Sequence, residues 1–509
     1  MITSLLVSAA MAVSGEATVK TASLFKNGYA MVVREVPVVG GEAIVTEIPQ
    51  SALGTFWITS TGNIKIKEVV TSQQEKSSQT PPASYDQFLS LNVGKQVTLQ
   101  MTSWGSAPTT LAGKLLAVQG DTVMLKTDKG TVMINRSDIR MITFGDDATT
   151  QVTTKYAERV MRFKTEGSGT ILLYGLERGM TWSPAYSLDI TDPKELTLSA
   201  KSTVLNDLAD LKNVDLRFVT GFPNVPWATL GEPLLSGQSV DQFTSFLNSV
   251  GISGGLGAFG GQGGGRRDAM TQNAAPAADF GAAFEPNTAP GMQAEDLFFY
   301  QQPNVSMKKG DRAFYMLFQA KSTYEHLYTT DLVDSVVNNV EYRPTTDGPT
   351  DVWHSLKLKN TSGHPLTTAA ATVFKDGQIM GQDTLMYTST GAEFLVKMSK
   401  ALDVRVDAIE EETTRERQSL KLPGGAVYDL VNVKGTVSIR NMKGEAVQMR
   451  VTKDLTGEII KVDGTPKVTK PAKGLRDVNP SSRLVWMPKI EAGKSLELTY
   501  QYKLYVRAF

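Results

Sequence analysis

Apolar and polar residues alternate along most of this chain. EAIVTEIP at 42–49, FWITSTGNIKIKEVV at 56–70 and SLELTY at 495–500 show the pattern in short form. A period of two marks a strand with one buried face. The same texture runs through RVMRFKTEGSGTILLYGLERGMTWSPAYSLDI (159–190), LTLSAKSTVLND (196–207), RAFYMLFQAKSTYEHLYTTDL (312–332) and YDLVNVKGTVSIRNMKGEAVQMRVTKDL (428–455). Turn signals such as Asn27-Gly28 break it; they recur about every eight to twelve residues, as in β-sandwiches. A helical period occurs in SVDQFTSFLNSV, where Phe243, Phe246, Leu247 and Val250 would share one face.

The breaks in this pattern divide the chain. Residues 18–71 read as an N-terminal β domain. TSQQEKSSQTPPAS then loses all strong apolar content, so 72–84 is expected to be a linker. From 85 to 147 five short strands with tight turns, among them Gln119-Gly120-Asp121 and Asp128-Lys129-Gly130, predict an inserted small barrel of SH3-like or Sm-like type. Strands resume over 151–250 and again over 297–509, with 251–296 between them dominated by Gly, Ala, Gln, Asn and Pro. The expected fold class is therefore mainly β. It is a multi-domain set of antiparallel β-sandwiches with one inserted barrel and one disordered Gly-rich segment.

That Gly-rich segment holds AFGGQGGGRRDAM at 258–270. A phosphate-binding loop needs a strand before it, a helix after it and a Lys with a following hydroxyl. Here Arg266 and Arg267 follow the glycines, and no apolar strand leads in. Such composition cannot bury enough surface to offset its ordering entropy. The Gly251-Ile252-Ser253-Gly254-Gly255 match to a nucleophile elbow opens the same segment and lacks the flanking strand and helix.

Composition narrows the function classes. Of 509 residues, 52 are Lys or Arg and 52 are Asp or Glu, so the formal net charge is zero. Nucleic-acid binders carry a basic excess, so nucleic acid is not an expected partner. The barrel's Lys95, Lys114, Lys126, Lys129, Arg136 and Arg140 are offset by Asp121, Asp128, Asp138 and Asp146. RNA binding there would require a basic face with exposed aromatics. Asn135 and Arg136 read as a turn asparagine and a solvated arginine. No cysteine is present, and the histidines are His326, His354 and His364. Neither a thiolate centre nor a close histidine pair is visible, and no cofactor or metal motif stands out. The opening MITSLLVSAAMAVSGEATVK is apolar and small-rich. It reads as a signal peptide over 1–17, cleaved between Ala12 and Ala17, and predicts export to the periplasm or the cell exterior. No run in the mature chain is long enough to span a bilayer.

Three stretches carry a family likeness: MTWSPAYSLDI (180–190), STVLNDLADLKNVDLRFVTGFPNV (202–225), and VWHSLKLKNTSGHPLTTAAATVFKDGQIMGQDTL (352–385) with the closing RLVWMPKIEAGKSLELTYQYKLYV. Together they resemble the bacterial mucoidy-inhibitor-A-like proteins, whose shared domain is one of unknown function. The matching positions are Trp182, Pro184 and Tyr186; Asn206, Asp210, Val214 and Leu216; and Asn360, Pro365, Leu366, Ala371, Val373, Phe374, Asp376, Gly377 and Gly381. Leu211 stands where the family pattern has Trp. The resemblance covers 19–72 and 151–509, leaving the barrel and the Gly-rich segment as insertions. It implies a β-rich multi-domain protein and no catalytic residue.

Residue chemistry leaves several alternatives. Trp182, Pro184 and Tyr186 alternate, so they share a strand face: a core face, or an aromatic platform for sugar or peptide. Trp227, Trp353 and Trp486 are likewise expected in cores. Asp207 and Asp210 beside Asn206 suit a strand-capping turn better than a calcium site, since the spacing of a calcium loop is absent. Glu410, Glu411 and Glu412 with Arg415 and Arg417 read as a solvated loop or hairpin tip; a glycosidase needs two carboxylates facing across a cleft. The leading expectation is a non-enzymatic exported binding or scaffold protein of the cell envelope, with an envelope polymer or surface protein as partner. The alternatives are a hydrolase of envelope polysaccharide or peptide, built from carboxylates that meet only in the fold, and RNA binding by the barrel.

Overall fold

The computed structural model describes residues 13–14, 16–39, 41–101, 109–221, 223–249, 291–294, 297–343, 349–470 and 477–508. Residues 1–12 of the expected signal peptide lie outside the described residues, as do 251–290 of the Gly-rich segment with its elbow-like match and its arginine pair. Val13–Ser14 pairs in parallel with Ala43–Ile44.

The fold is mainly β. One layer of the first sandwich is a 7-stranded sheet that includes Thr18–Leu24, Tyr29–Val39, Ser168–Arg178, Leu211–Thr220 and Leu297–Met307. It faces part of an 11-stranded sheet containing Met180–Asp189, Glu195–Asn206, Ala369–Lys375 and Gln378–Leu385. The alternation read in the sequence is realised here: along Glu195–Asn206 every second side chain is buried. Trp182, Phe218, Tyr300, Leu198 and Val373 share the resulting core. Most pairings are antiparallel, but the sheets are mixed. Ala185–Asp189 runs parallel to 370–374, and Asp215–Phe218 runs parallel to 21–24.

Arg312–Leu332 is a strand of 21 residues that serves two cores. Its first half pairs with 195–205, and residues 324–329 pair with 353–358. Residues 328–332 then run parallel to 449–453 in the second sandwich. That sandwich closes against Val404–Lys421, Val427–Asn441 and Ser495–Arg507. Its core holds Trp486, Tyr500, Tyr502, Val433 and Met449.

The stretch expected as a linker is a strand for most of its length. Lys65–Thr80 pairs with Val152–Glu166 from end to end. The outer half of this ribbon has no face to bury, so no apolar period announces it. Ion pairs cross this outer half instead: Lys76 with Glu158, and Lys155 with Glu75 at 3.7 Å. Between its strands sits the expected small barrel. Its five strands lie in the order Gly130–Asn135, Thr122–Thr127, Thr110–Gln119, Gln96–Met101, Ile139–Phe144, with a core of its own around Leu89, Leu99, Leu115 and Leu125. Gly113 lets neighbouring strands approach: a Cβ there would lie 2.7 Å from the Lys126 carbonyl oxygen. The barrel strands are preceded by a helix, Tyr85–Leu91, where the sequence pattern predicts only strands. Ser84 caps it, its Oγ accepting from the Gln87 amide at 3.2 Å. The helical period at 239–250 does form a helix, Val240–Ser249.

Candidate functional site

The residues of the family likeness do not converge on a cleft. Trp182, Pro184 and Tyr186 point into the first core. Trp182 stacks on Phe218 with ring centroids 5.5 Å apart and donates from Nε1 to the Val219 carbonyl at 3.3 Å. Tyr186 donates to the Thr367 carbonyl at 3.1 Å, and its burial raises the phenol pKa. Tyr300 donates to the Pro365 carbonyl at 2.7 Å. Phe374 is half-buried, and its carbonyl accepts from the Ile190 amide. Asp376 (φ 50°) and Gly377 (φ 75°) turn a tight hairpin, a conformation that favours glycine at the second position. Trp486 is a core residue as expected, whereas Trp353 is half-buried and Trp227 is 46% exposed.

Three buried asparagines repeat one arrangement. Asn206, Asn360 and Asn441 each end an alternating strand and accept from the amide two residues on: Leu208, Ser362 and Lys443 respectively. Each amide nitrogen donates to carbonyls across the turn. Asn206 reaches Ala209 and Lys308; Asn360 reaches His364, Thr388 and Ser389; Asn441 reaches Glu445, Ile490 and Glu491. Asn441 was missed in the sequence. The signal was there: Ile439-Arg440-Asn441 ends its strand as Leu358-Lys359-Asn360 does. Beside Asn206, Asp207 pairs with Arg312 at 3.0 Å and Asp210 accepts from the Lys309 amide at 2.8 Å, so both are occupied in the turn.

The glutamate run is not a hairpin tip. It lies inside Val404–Lys421, with Glu410 buried and Glu411 and Glu412 exposed. Glu410 is buried and paired with buried Lys453 at 2.9 Å. Tyr500 and Tyr502 donate to its two carboxylate oxygens at 2.7 and 3.2 Å, and Lys453 also donates to the Val333 carbonyl at 2.7 Å. Burial and the adjacent carboxylate raise both phenol pKa values. Glu412 and Asp429 both bind Arg415, and Glu412 is held below the ordinary carboxylate range by that guanidinium. The motif looked like a loop because a charge inside a sandwich is unexpected without its partner, and Lys453 is far along the chain.

The fold makes a histidine pair that spacing concealed. His326 and His354 lie on paired strands, with Nδ1 of the first 2.9 Å from Nε2 of the second. Tyr324 meets the His326 ring edge-on, and Tyr328 stacks on His354 at 4.6 Å. Burial pushes the His354 pKa down to about 4, with His326 and Lys443 adding to the effect. Burial lowers that of His326 too. His364 is separate and packs among Phe298, Tyr300 and Phe318.

A cleft of about 190 Å³ opens beside Tyr29, Ser51, Leu176, Arg178 and Glu232. The buried Arg34–Glu177 ion pair lies next to it. Elsewhere Lys26 donates to Thr367 Oγ1 at 2.9 Å and the Thr368 carbonyl at 2.7 Å, and burial lowers its pKa to about 8. In the barrel, Asn135 does cap a turn, its side chain accepting from the Ser137 amide at 3.1 Å. Arg136 is not simply solvated: it pairs with Asp86 and lies 4.6 Å over the Tyr85 ring. Among the described residues no group of three or more His, Cys, Asp or Glu could hold a metal ion, and no helix is long and apolar enough to cross a membrane. No protein-family model matches the chain, and no curated protein matches it.

Proposed function

We propose that this chain is an exported, non-enzymatic binding or scaffold protein of the bacterial cell envelope or exterior, related to the mucoidy-inhibitor-A-like proteins. The observation that carries this reading is the inserted barrel. A module with its own core is joined to a double-sandwich body by a polar two-stranded ribbon. Rigid sheets that hold out a separate small domain suit recognition of an extended partner, such as an envelope polymer or a surface protein. The disposition of charge supports it. Glu410 is tied up by Lys453 and two tyrosines, and Asp207 by Arg312, so the conspicuous acids serve the fold. In the barrel, Arg136 and Lys95 are matched by Asp86 and Asp147, which argues against a nucleic-acid face.

Two measurements test the proposal. Cells are fractionated and the N-terminus of the native protein is read by mass spectrometry. A periplasmic or extracellular chain beginning between residues 12 and 18 is expected; an intact Met1 in the cytosol overturns export. The full chain is then sedimented with isolated envelope polymer, beside a chain whose residues 81–151 are replaced by a short turn. Loss of co-sedimentation in the shortened chain is expected. Release of soluble polymer fragments by the full chain would overturn the non-enzymatic reading.

A further inference from the structure

We propose that His326 and His354 form a two-imidazole chelate for a divalent transition-metal ion at the seam between the two sandwiches. Both rings project from the same side of one sheet, on strands whose register sets Tyr328 opposite His354. Their nearest nitrogens are 2.9 Å apart and share one proton in a hydrogen bond, so metal binding requires the donor ring to carry its proton on its other nitrogen instead. Two nitrogens each ~2.0–2.1 Å from a metal lie about 2.9 Å apart at a right angle and about 3.3 Å apart at the tetrahedral angle. The observed spacing therefore matches neighbouring ligands of a tetragonal Cu(II) or Ni(II) ion, and Zn(II) would require a slight opening.

The surroundings hold the pair in place. Tyr324 packs with the first core, and Tyr328 belongs to the second. His326 lies between them in sequence and shares their face, since strand positions two apart point the same way. Ring contacts on both sides limit the rotamers of the two histidines. Glu445 supplies negative charge facing His326, while Lys375 and Lys443 face it with positive charge. Lys443 is drawn toward the Tyr328 ring, at 5.5 Å. Two protein ligands leave the remaining coordination positions to water or to a bound partner.

The chain suits a clean test, because it has no cysteine and only 3 histidines. The full-length protein is titrated with CuCl2, NiCl2 and ZnCl2 by calorimetry, and the Cu(II) complex is examined by electron paramagnetic resonance. One saturable site with hyperfine coupling from two nitrogens is expected. His326→Ala and His354→Ala should each weaken binding at least about tenfold, and His364→Ala should leave it unchanged. Unliganded circular dichroism and thermal midpoints of the variants separate ligand loss from misfolding. Absence of saturable binding to the native chain, or binding unaltered in both variants at 326 and 354, overturns the proposal.

Discussion

The residues that most decide this structure are polar ones placed where water cannot reach them. Asn360 satisfies three carbonyls and an amide at one corner, so its truncation strands several buried groups at once. Asn360→Ala is expected to cost about 2–4 kcal/mol, read as a lower urea midpoint. The Glu410–Lys453 pair gives a sharper expectation. Removing either charge leaves the other buried alone, so Glu410→Gln or Lys453→Met should each cost about 3–5 kcal/mol, whereas a double replacement by apolar residues should cost much less than their sum. A double-mutant cycle in denaturant measures the difference. Lys26 supplies a pH dependence. Its folded pKa of about 8 lies below the ordinary lysine value of 10.5, so between those limits the unfolded chain binds more protons. The cost of burying its charge is present in full below about pH 8 and fades as pH rises toward 10.5. Wild-type protein should gain stability across that window relative to Lys26→Met, as compared by urea midpoints at the two ends.

At the scale of elements, the barrel and the ribbon behave differently from the sheets of the body. The barrel's core draws on none of the body's residues, and Asn92 closes it by bonding both backbone groups of Thr149. A fragment spanning residues 84–149 is therefore expected to fold alone, with dispersed amide signals in NMR and a cooperative melt. A collapsed, non-cooperative fragment would show that the ribbon is part of its fold. These elements also mark what was legible in the sequence. Strands buried on one face declared themselves by alternation, and the barrel by its tight turns. The outer ribbon did not, because both its faces are wet and its cohesion comes from cross-strand ion pairs and backbone bonds. The helix Tyr85–Leu91 is too short to display a period. Candidate-site residues were legible only where they were local. Asn206 and Asn360 could be read from their own turns. The His326–His354 contact and the Glu410–Lys453 pair depend on strand register between distant segments, which no local pattern encodes.

At the scale of the whole molecule, the strand Arg312–Leu332 joins the two sandwiches without a hinge. Beyond its bulge opposite Ala200 and Lys201, Phe318 and Tyr324 turn toward the first core, and Tyr328 and Leu332 toward the second. All four sit at even positions of one strand, so the two cores read the same side of it. The two halves are thus locked in phase, like teeth cut on a single shaft. A lone residue added between 324 and 328 would present the wrong side of the strand to one sandwich, whereas a pair of residues would restore the parity. Tolerated length changes in this segment must come in twos, although each sandwich taken separately imposes no such arithmetic.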